Sequence, residues 1–431
     1  MKFENNSILG TYLDRFVIEP SKILDYTLVF LLVATSGITY FYYNEQYIVI
    51  GLILSLLIAF ARGTLEELDL KFIIILIVFI IWQVFQGFYF DNFTINSLIG
   101  TFVRFTFAYL VIKTVGHKLI PIYINLIVFF SIISLLVYAA FFVPSLTNQL
   151  IAHAITSPLF PLKDQTYAFT PNYILVTFNQ YQQLRNSGPF WEPGAFAVFL
   201  NVAILFNVMS NKKLFDKKNI LFIIAIATTL STAGYLVLFF IITALYLMVN
   251  PSLKKVLVLA PMVIFFTIFI INMSFLLPKI KDNVIIAEND NSSRFGSAYS
   301  DYQLIYKNPF IGYGKDIQNK YGTSIWNLKK MHRNNGITNF MTEWGLIIFV
   351  FYFANYKKSS DNICMYFQSN KYLSVVFLII IWLSGFSEAI FQYTFFHSMM
   401  FLQFSYKGIL VNNEDEVETE PNIQSERYLI S

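Results

Sequence analysis

The stretch Arg185-Asn186-Ser187-Gly188-Pro189-Phe190-Trp191-Glu192-Pro193-Gly194-Ala195-Phe196-Ala197 sets an arginine, a glycine-proline turn and a glutamate at the mouth of a hydrophobic run. A charged side chain at membrane depth costs roughly 2.5–3.5 kcal/mol on insertion scales, so charges placed there are candidates for function first. Farther along, Ser292-Ser293-Arg294-Phe295-Gly296 brings a second arginine and Lys307-Asn308-Pro309-Phe310-Ile311-Gly312-Tyr313-Gly314 a glycine turn. His332-Arg333-Asn334-Asn335 follows, and Thr338-Asn339-Phe340-Met341-Thr342-Glu343-Trp344-Gly345-Leu346 opens another apolar run. Two chemistries are within reach of these residue types. A guanidinium offers a rigid fork of donors that matches phosphate oxygens and stays protonated at low dielectric. A histidine or carboxylate can take a proton near neutral pH.

The elements that must hold these residues are read from the apolar runs. Of the 431 residues 56% are hydrophobic and only 13% charged, far from the roughly 25% charged of soluble domains. Runs of about 20 apolar residues mark membrane helices, and they fall near 22–42, 46–62, 71–90, 97–114, 119–143, 191–210, 218–232, 234–250, 255–277, 337–356, 371–389 and 391–411. The expected fold is therefore all-α and polytopic, with about twelve transmembrane helices in one membrane domain over 1–411. Residues 412–431 form an acidic tail, with Glu414, Asp415, Glu416, Glu418, Glu420 and Glu426 against Arg427, and read as a disordered cytoplasmic extension.

Lysine and arginine near span ends set orientation. With the N-terminus inside, the inner segments hold Lys2, Arg15, Lys22, Arg62, Lys71, Lys113, Lys118, the Lys212–Lys218 and Lys254–Lys255 groups, Lys357, Lys358, Lys371 and Lys407. The short outer connections near 43–45, 91–96, 233 and 390 hold none. Both termini are then cytoplasmic, and the long loops 144–190 and 278–336 emerge on one outer face, where they can build one site. The second loop carries nine basic residues against five acidic ones, so it leans positive where an anionic headgroup would arrive. The N-terminus is expected to keep its first span, because Met1–Lys22 is polar and no short cleavable run follows. Cys364 is the only cysteine, and His117, His153, His332 and His397 lack ligand spacing, so neither a disulfide nor a metal is expected. No repeat, nucleotide-binding loop or nucleic-acid motif stands out.

The order of elements resembles the bacterial O-antigen polymerase and O-antigen ligase superfamily: an arginine before a glycine and a Glu-Pro-Gly helix start, a second arginine before an Asn-Pro-hydrophobic-Gly-x-Gly turn, a His-Asn element, then a helix with Glu-x-Gly. Leu230-Ser231-Thr232-Ala233-Gly234-Tyr235 is similar to the family's central Ser-Thr/Arg-x-Gly segment, and the close resemblance runs over roughly residues 185–350. The chain departs from the pattern in placing Arg333 between His332 and Asn334. The resemblance implies a metal-independent glycosyltransferase of the bacterial inner membrane with its site on the extracytoplasmic side. It implies no cofactor and no nucleic acid. Its partners would be the bilayer and an undecaprenyl-diphosphate-linked oligosaccharide, with a chain-length regulator and a flippase alongside. The activity implied is polymerisation of lipid-linked repeat units into O-antigen or capsular polysaccharide. The alternatives are an O-antigen ligase that transfers polymer to lipid A-core and, from another class, a lipid-linked oligosaccharide flippase.

In that reading Arg185, Arg294 and Arg333 hold the diphosphate and stabilise the charge that develops as it departs. His332 and Glu192 are the candidates for taking the acceptor hydroxyl's proton, and Gly312, Gly314, Asn334 and Glu343 support the site. Plainer roles compete for the same residues. Arg185 could anchor at lipid phosphate, Arg294 and Arg333 could be solvated, and His332 could be an exposed loop histidine. Glu192 could cap the helix that Pro193 opens. Glu343, Glu388 and Arg104 read best as members of buried arginine–glutamate pairs that hold helices together. A transporter would carry internal repeats and midplane charge, whereas here polar residues gather in two outer loops.

Overall fold

In a computed structural model the described residues are 20–154, 172–179, 185–248, 294–321 and 335–406. They form α1 (Pro20–Gly37), α2 (Thr39–Tyr42), α3 (Gln46–Ala61), α4 (Leu70–Tyr89), α5 (Ile95–Val115), α6 (Leu119–Ala140) and α7 (Pro144–Ala152). Three short strands follow, β1 (Asn172–Tyr173), β2 (Val176–Asn179) and β3 (Arg185–Asn186). Then come α8 (Pro193–Asn211), α9 (Lys217–Thr229), α10 (Thr232–Met248), α11 (Arg294–Lys307), α12 (Ile317–Tyr321), α13 (Gly336–Tyr366), α14 (Leu373–Ser387) and α15 (Thr394–Phe401). The described chain is thus mostly helical, with one small antiparallel sheet in the order β1-β2-β3 inside the first long loop.

Four helical stretches are long and apolar enough to cross a membrane: α4, Ile95–Ala140 (α5 and α6 joined by a 3-10 turn), α8 and α13. The shorter α3, α10 and α14 are apolar too. Isoleucines 73, 74, 77 and 81 with Phe85 and Phe88 leave α4 with an exposed apolar face, which suits lipid and not water. By contrast α8 is buried from Pro193 to Met209, as expected of a helix that is apolar all round, and it packs on α6, α9, α10 and α14. Lipid tails give helices no hydrophobic drive to associate, so close packing at small residues does that work. At Gly51 an added Cβ would meet the Phe107 ring at 2.5 Å, and at Gly234 it would meet Ala197 at 2.6 Å.

Of the twelve spans expected, four described stretches have the length and apolar character to cross a membrane, and several expected boundaries differ. The run expected at 22–42 stops at Gly37, because Ile38 turns extended to bridge Phe190 and the Thr39 amide donates to Pro189 O at 3.0 Å. The span expected at 371–389 ends at Ser387, and Glu388 is extended (φ −142, ψ 146). Of the expected 391–411, the described residues end at 406, and among them Thr394–Phe401 is α-helical, followed by a 3-10 turn, Leu402–Phe404. The span at 255–277 and the tail 412–431 lie outside the described residues. Within α13, Gly345 has φ 73 and ψ 170, so the helix is interrupted there.

Candidate functional site

Arg185 is fixed by the strand that carries it, since β3 pairs Asn179 with Arg185 and Phe178 with Asn186. Next to it the Asn186 amide donates to Thr228 Oγ1 at 2.9 Å and Ser134 Oγ at 3.2 Å, while Asn186 Oδ1 accepts from the Gly188 amide at 2.9 Å. The guanidinium reaches the end of α9, where Nε donates to Thr229 O at 3.0 Å and Nη2 to Leu230 O at 2.9 Å. Leu230 is left-handed (φ 50), so α9 stops with its last carbonyls unmet by its own backbone. A cation at that pole also suits the helix dipole. The carbonyls of Thr229 and Leu230, where the Leu230–Tyr235 segment begins, are thus the seat of Arg185. Burial lowers the arginine's pKa, and the nearby Glu192 carboxyl opposes that shift; the group keeps its charge because guanidinium does not deprotonate in proteins.

Arg294, the first residue of α11, repeats the arrangement on α14. Its Nε donates to Ser387 O at 2.6 Å, and Nη2 pairs with Glu388 Oε1 at 3.0 Å. Glu388 is buried and is also in hydrogen-bond contact with the Glu192 carboxyl. Two carboxylates have only acceptors, so a hydrogen bond between them requires one to be protonated. The close approach depends on Gly194, where a Cβ would overlap Glu388 Oε1 and lie 3.7 Å from Glu192 Oε1. Glu192 occupies the N-cap of α8 but its side chain makes no capping hydrogen bond, which leaves the carboxyl turned to the cluster. Arg185 feels Glu192, Arg294 and Glu388 together. Two arginines and two glutamates, drawn from both long loops and from the end of α14, therefore converge.

His332, Arg333 and Asn334 lie outside the described residues. The described chain resumes at Asn335, the N-cap of α13, whose Oδ1 accepts from the Thr338 amide at 3.1 Å. The adjoining Gly336 packs on the Glu388 turn; a Cβ there would stand 2.5 Å from Glu388 O. The start of α13 is therefore seated on the backbone of the turn that carries Glu388.

Gly312 and Gly314 meet α13 at its interruption. The Tyr313 amide donates to Thr342 O and the Gly314 amide to Glu343 O, both at 2.9 Å, and the Leu346 amide donates to Pro309 O at 2.8 Å. Trp82 Nε1 donates to Trp344 O at 2.9 Å, and Gln86 Nε2 to Ile311 O at 2.6 Å and Glu343 O at 2.8 Å. The carbonyls freed by the break are thereby satisfied, as apolar surroundings require. Gly312 and Gly345 (φ 70 and 73) permit the contact, since a Cβ on Gly312 would sit 2.5 Å from the Gly345 nitrogen. The Asn-Pro-x-x-Gly-x-Gly and Glu-x-Gly elements are two halves of one backbone junction. The Glu343 side chain pairs with Lys320 at 2.9 Å and accepts from Asn339 at 3.0 Å.

Of the charges expected in buried arginine–glutamate pairs, Glu388 pairs with Arg294, whereas Arg104 pairs with the exposed Glu45 at 2.5 Å and Glu343 takes a lysine and not an arginine. Glu388 joins the site beyond that tying role, through Glu192. Its signal in the sequence was a carboxylate at the end of an apolar run, with nothing to show which charge 94 residues away would meet it. Lys315, between α11 and α12, shows in the sequence only as one of the nine basic residues of the second loop. The chain matches no family model and no curated relative, so the site is read from its own residues.

Proposed function

We propose that the chain is a membrane glycosyltransferase that joins undecaprenyl-diphosphate-linked oligosaccharide repeat units into O-antigen or capsular polysaccharide. The observation that carries this reading is the convergence of Arg185 and Arg294, each braced on a helix end, beside the Glu192–Glu388 carboxyl pair. The acceptor sugar's hydroxyl oxygen attacks the anomeric carbon of the donor chain, and the bond from that carbon to the lipid diphosphate breaks with its electron pair leaving on phosphate oxygen. The guanidiniums meet the charge that grows on the leaving diphosphate, an interaction stronger in the transition state than in the ground state. Their bracing contacts fix orientation before substrate arrives, which lowers the cost of reorganisation. Glu192, or His332 as the sequence suggests, takes the hydroxyl proton, and Glu388 sets the charge state of Glu192 by sharing its proton. The site faces the extracytoplasmic side in this reading, where lipid-linked units are presented.

The test is deletion of the gene followed by complementation with intact chain or Arg294→Ala, with surface glycolipids examined on a gel. Lipid A-core bearing single repeat units and no ladder, restored by intact chain but not by Arg294→Ala, is the expected result. Long polymer accumulating on undecaprenyl diphosphate over bare lipid A-core would instead identify a ligase. Unchanged ladders after deletion would contradict both.

A further inference from the structure

The helix that Arg294 opens, α11, has the polarity of a water-facing helix reversed. Its buried side carries Gly296, Ser297 and Asp301, and Asp301 Oδ2 accepts from Thr338 Oγ1 of α13 at 2.7 Å. Its outer side carries Phe295, Tyr299, Tyr302 and Tyr306, which are 48%, 51%, 63% and 78% exposed. Steps of four, three and four residues set these rings in one stripe along the helix. A helix in contact with water turns its apolar stripe inward and its polar residues out. Four exposed rings in a row therefore mark contact with something other than water. Polar residues border the stripe, since Gln303 and Lys307, each one position past a tyrosine, are exposed as well.

Both ends of the stripe run into exposed apolar faces of other helices. Phe295 meets Phe386 of α14 edge to face at 5.3 Å, and Trp382 and Leu383 of that apolar helix are exposed. At the far end Phe310 is exposed, beside the bond from the Leu346 amide to Pro309 O at 2.8 Å. Ile347 and Val350, just beyond on α13, are exposed too, and α13 is long and apolar enough to cross a membrane. At 14 residues, with Arg294 and Lys307 at its ends, α11 is itself too short and too polar to cross. A short amphipathic helix with rings on one face lies in the boundary layer instead, where the amphipathic phenol suits a place between acyl chains and headgroups. The Lys307 stem can follow the rings while its ammonium reaches lipid phosphate. A protein partner would have to end where the stripe joins α13 and α14, whereas lipid covers all three surfaces without a seam.

We infer that α11 lies in the plane of the membrane at the boundary of acyl chains and headgroups, with Phe295, Tyr299, Tyr302 and Tyr306 bedded in bilayer phospholipid. The further clause, that the helix thereby holds Arg294 at the depth of a lipid diphosphate, rests on the proposed function. The experiment uses the full chain with its single cysteine replaced (Cys364→Ser), in phosphatidylcholine nanodiscs free of polyprenyl lipid. Spin labels are attached at Tyr299→Cys, Tyr302→Cys and Tyr306→Cys, three exposed positions so that one poorly folded variant does not decide the result, and at Gln318→Cys, an exposed polar residue of α12. The stripe labels should lose most of the collisions with an aqueous nickel chelate that the Gln318 label keeps, and gain collisions with oxygen. Nickel collisions equal to those at Gln318 would put the stripe in water and overturn the placement. Labels shielded from both reagents would put protein over the stripe and overturn it too. Shielding from nickel that comes only on adding undecaprenyl diphosphate would make the stripe a seat for that chain, and the bilayer contact would again be overturned. In cells, Tyr302→Asp combined with Tyr306→Asp should lose most of the polymer while the protein still elutes as folded. Unchanged polymer there overturns the depth clause and leaves the placement standing. Full polymer from Arg294→Ala would sink the proposed function alone.

Discussion

At Gly345 the interrupted α13 is met by backbone amides and neutral side chains: the carbonyls of Thr342, Glu343 and Trp344 accept from the Tyr313 amide, from the Gly314 amide and Gln86 Nε2, and from Trp82 Nε1. At the ends of α9 and α14 the last carbonyls are met by the side chains of Arg185 and Arg294. Both regions solve the same problem, freed polar backbone in apolar surroundings. The first solution uses neutral groups and is complete in itself. The second brings formal charge to the same end of the bundle, where Glu388 offsets part of it. In the proposed function the first region is structural and the second supplies the charges that meet the substrate, so variants in the two should fail in different ways.

The contrast predicts different failures. Gly345→Ala should have the largest effect, because a Cβ there would overlap Phe310 O and meet the Ile311 carbonyl carbon at 2.6 Å. Little or no monodisperse protein should survive membrane extraction and size-exclusion chromatography, and normal yield would show the junction to be dispensable. Arg294→Ala should extract normally yet lower polymer formation by about 100-fold or more, the scale seen when a transition-state donor is removed. Gly194→Ala should come next: it displaces Glu388 from Glu192 without touching Arg185's bonds to Thr229 and Leu230, and activity should fall about tenfold while yield holds. If instead Gly194→Ala is as active as the parent, the carboxyl pair has no part in the reaction. Trp82→Phe should be mildest, losing one hydrogen bond worth about 1 kcal/mol, visible as a small fall in thermal stability with activity retained.

The apolar runs made most helices legible, because α3, α4 and α8 are continuous stretches of hydrophobic residues in both sequence and structure. Where tertiary contacts override the run, the reading failed. α1 stops at Gly37 for the sake of Phe190 and Pro189, which lie far along the chain. The interruption at Gly345 was hidden inside an apolar pattern that periodicity alone cannot distinguish from continuous helix. At the site, Arg185 stood out as a charge at the mouth of an apolar run and Arg294 by the motifs that follow it, but their carbonyl seats did not, since any helix end offers the same groups. Nor could the sequence disclose that Lys320 and Arg104 take Glu343 and Glu45 while Lys315 has no carboxylate partner among the described residues.

The central claim, a diphosphate clamp at Arg185 and Arg294, is tested most directly by the affinity of purified chain for an undecaprenyl-diphosphate-linked repeat unit against its monophosphate counterpart. The account predicts that the parent prefers the diphosphate, and that Arg185→Ala and Arg294→Ala each lose that preference while eluting as folded protein. Equal preference in parent and both variants would contradict it.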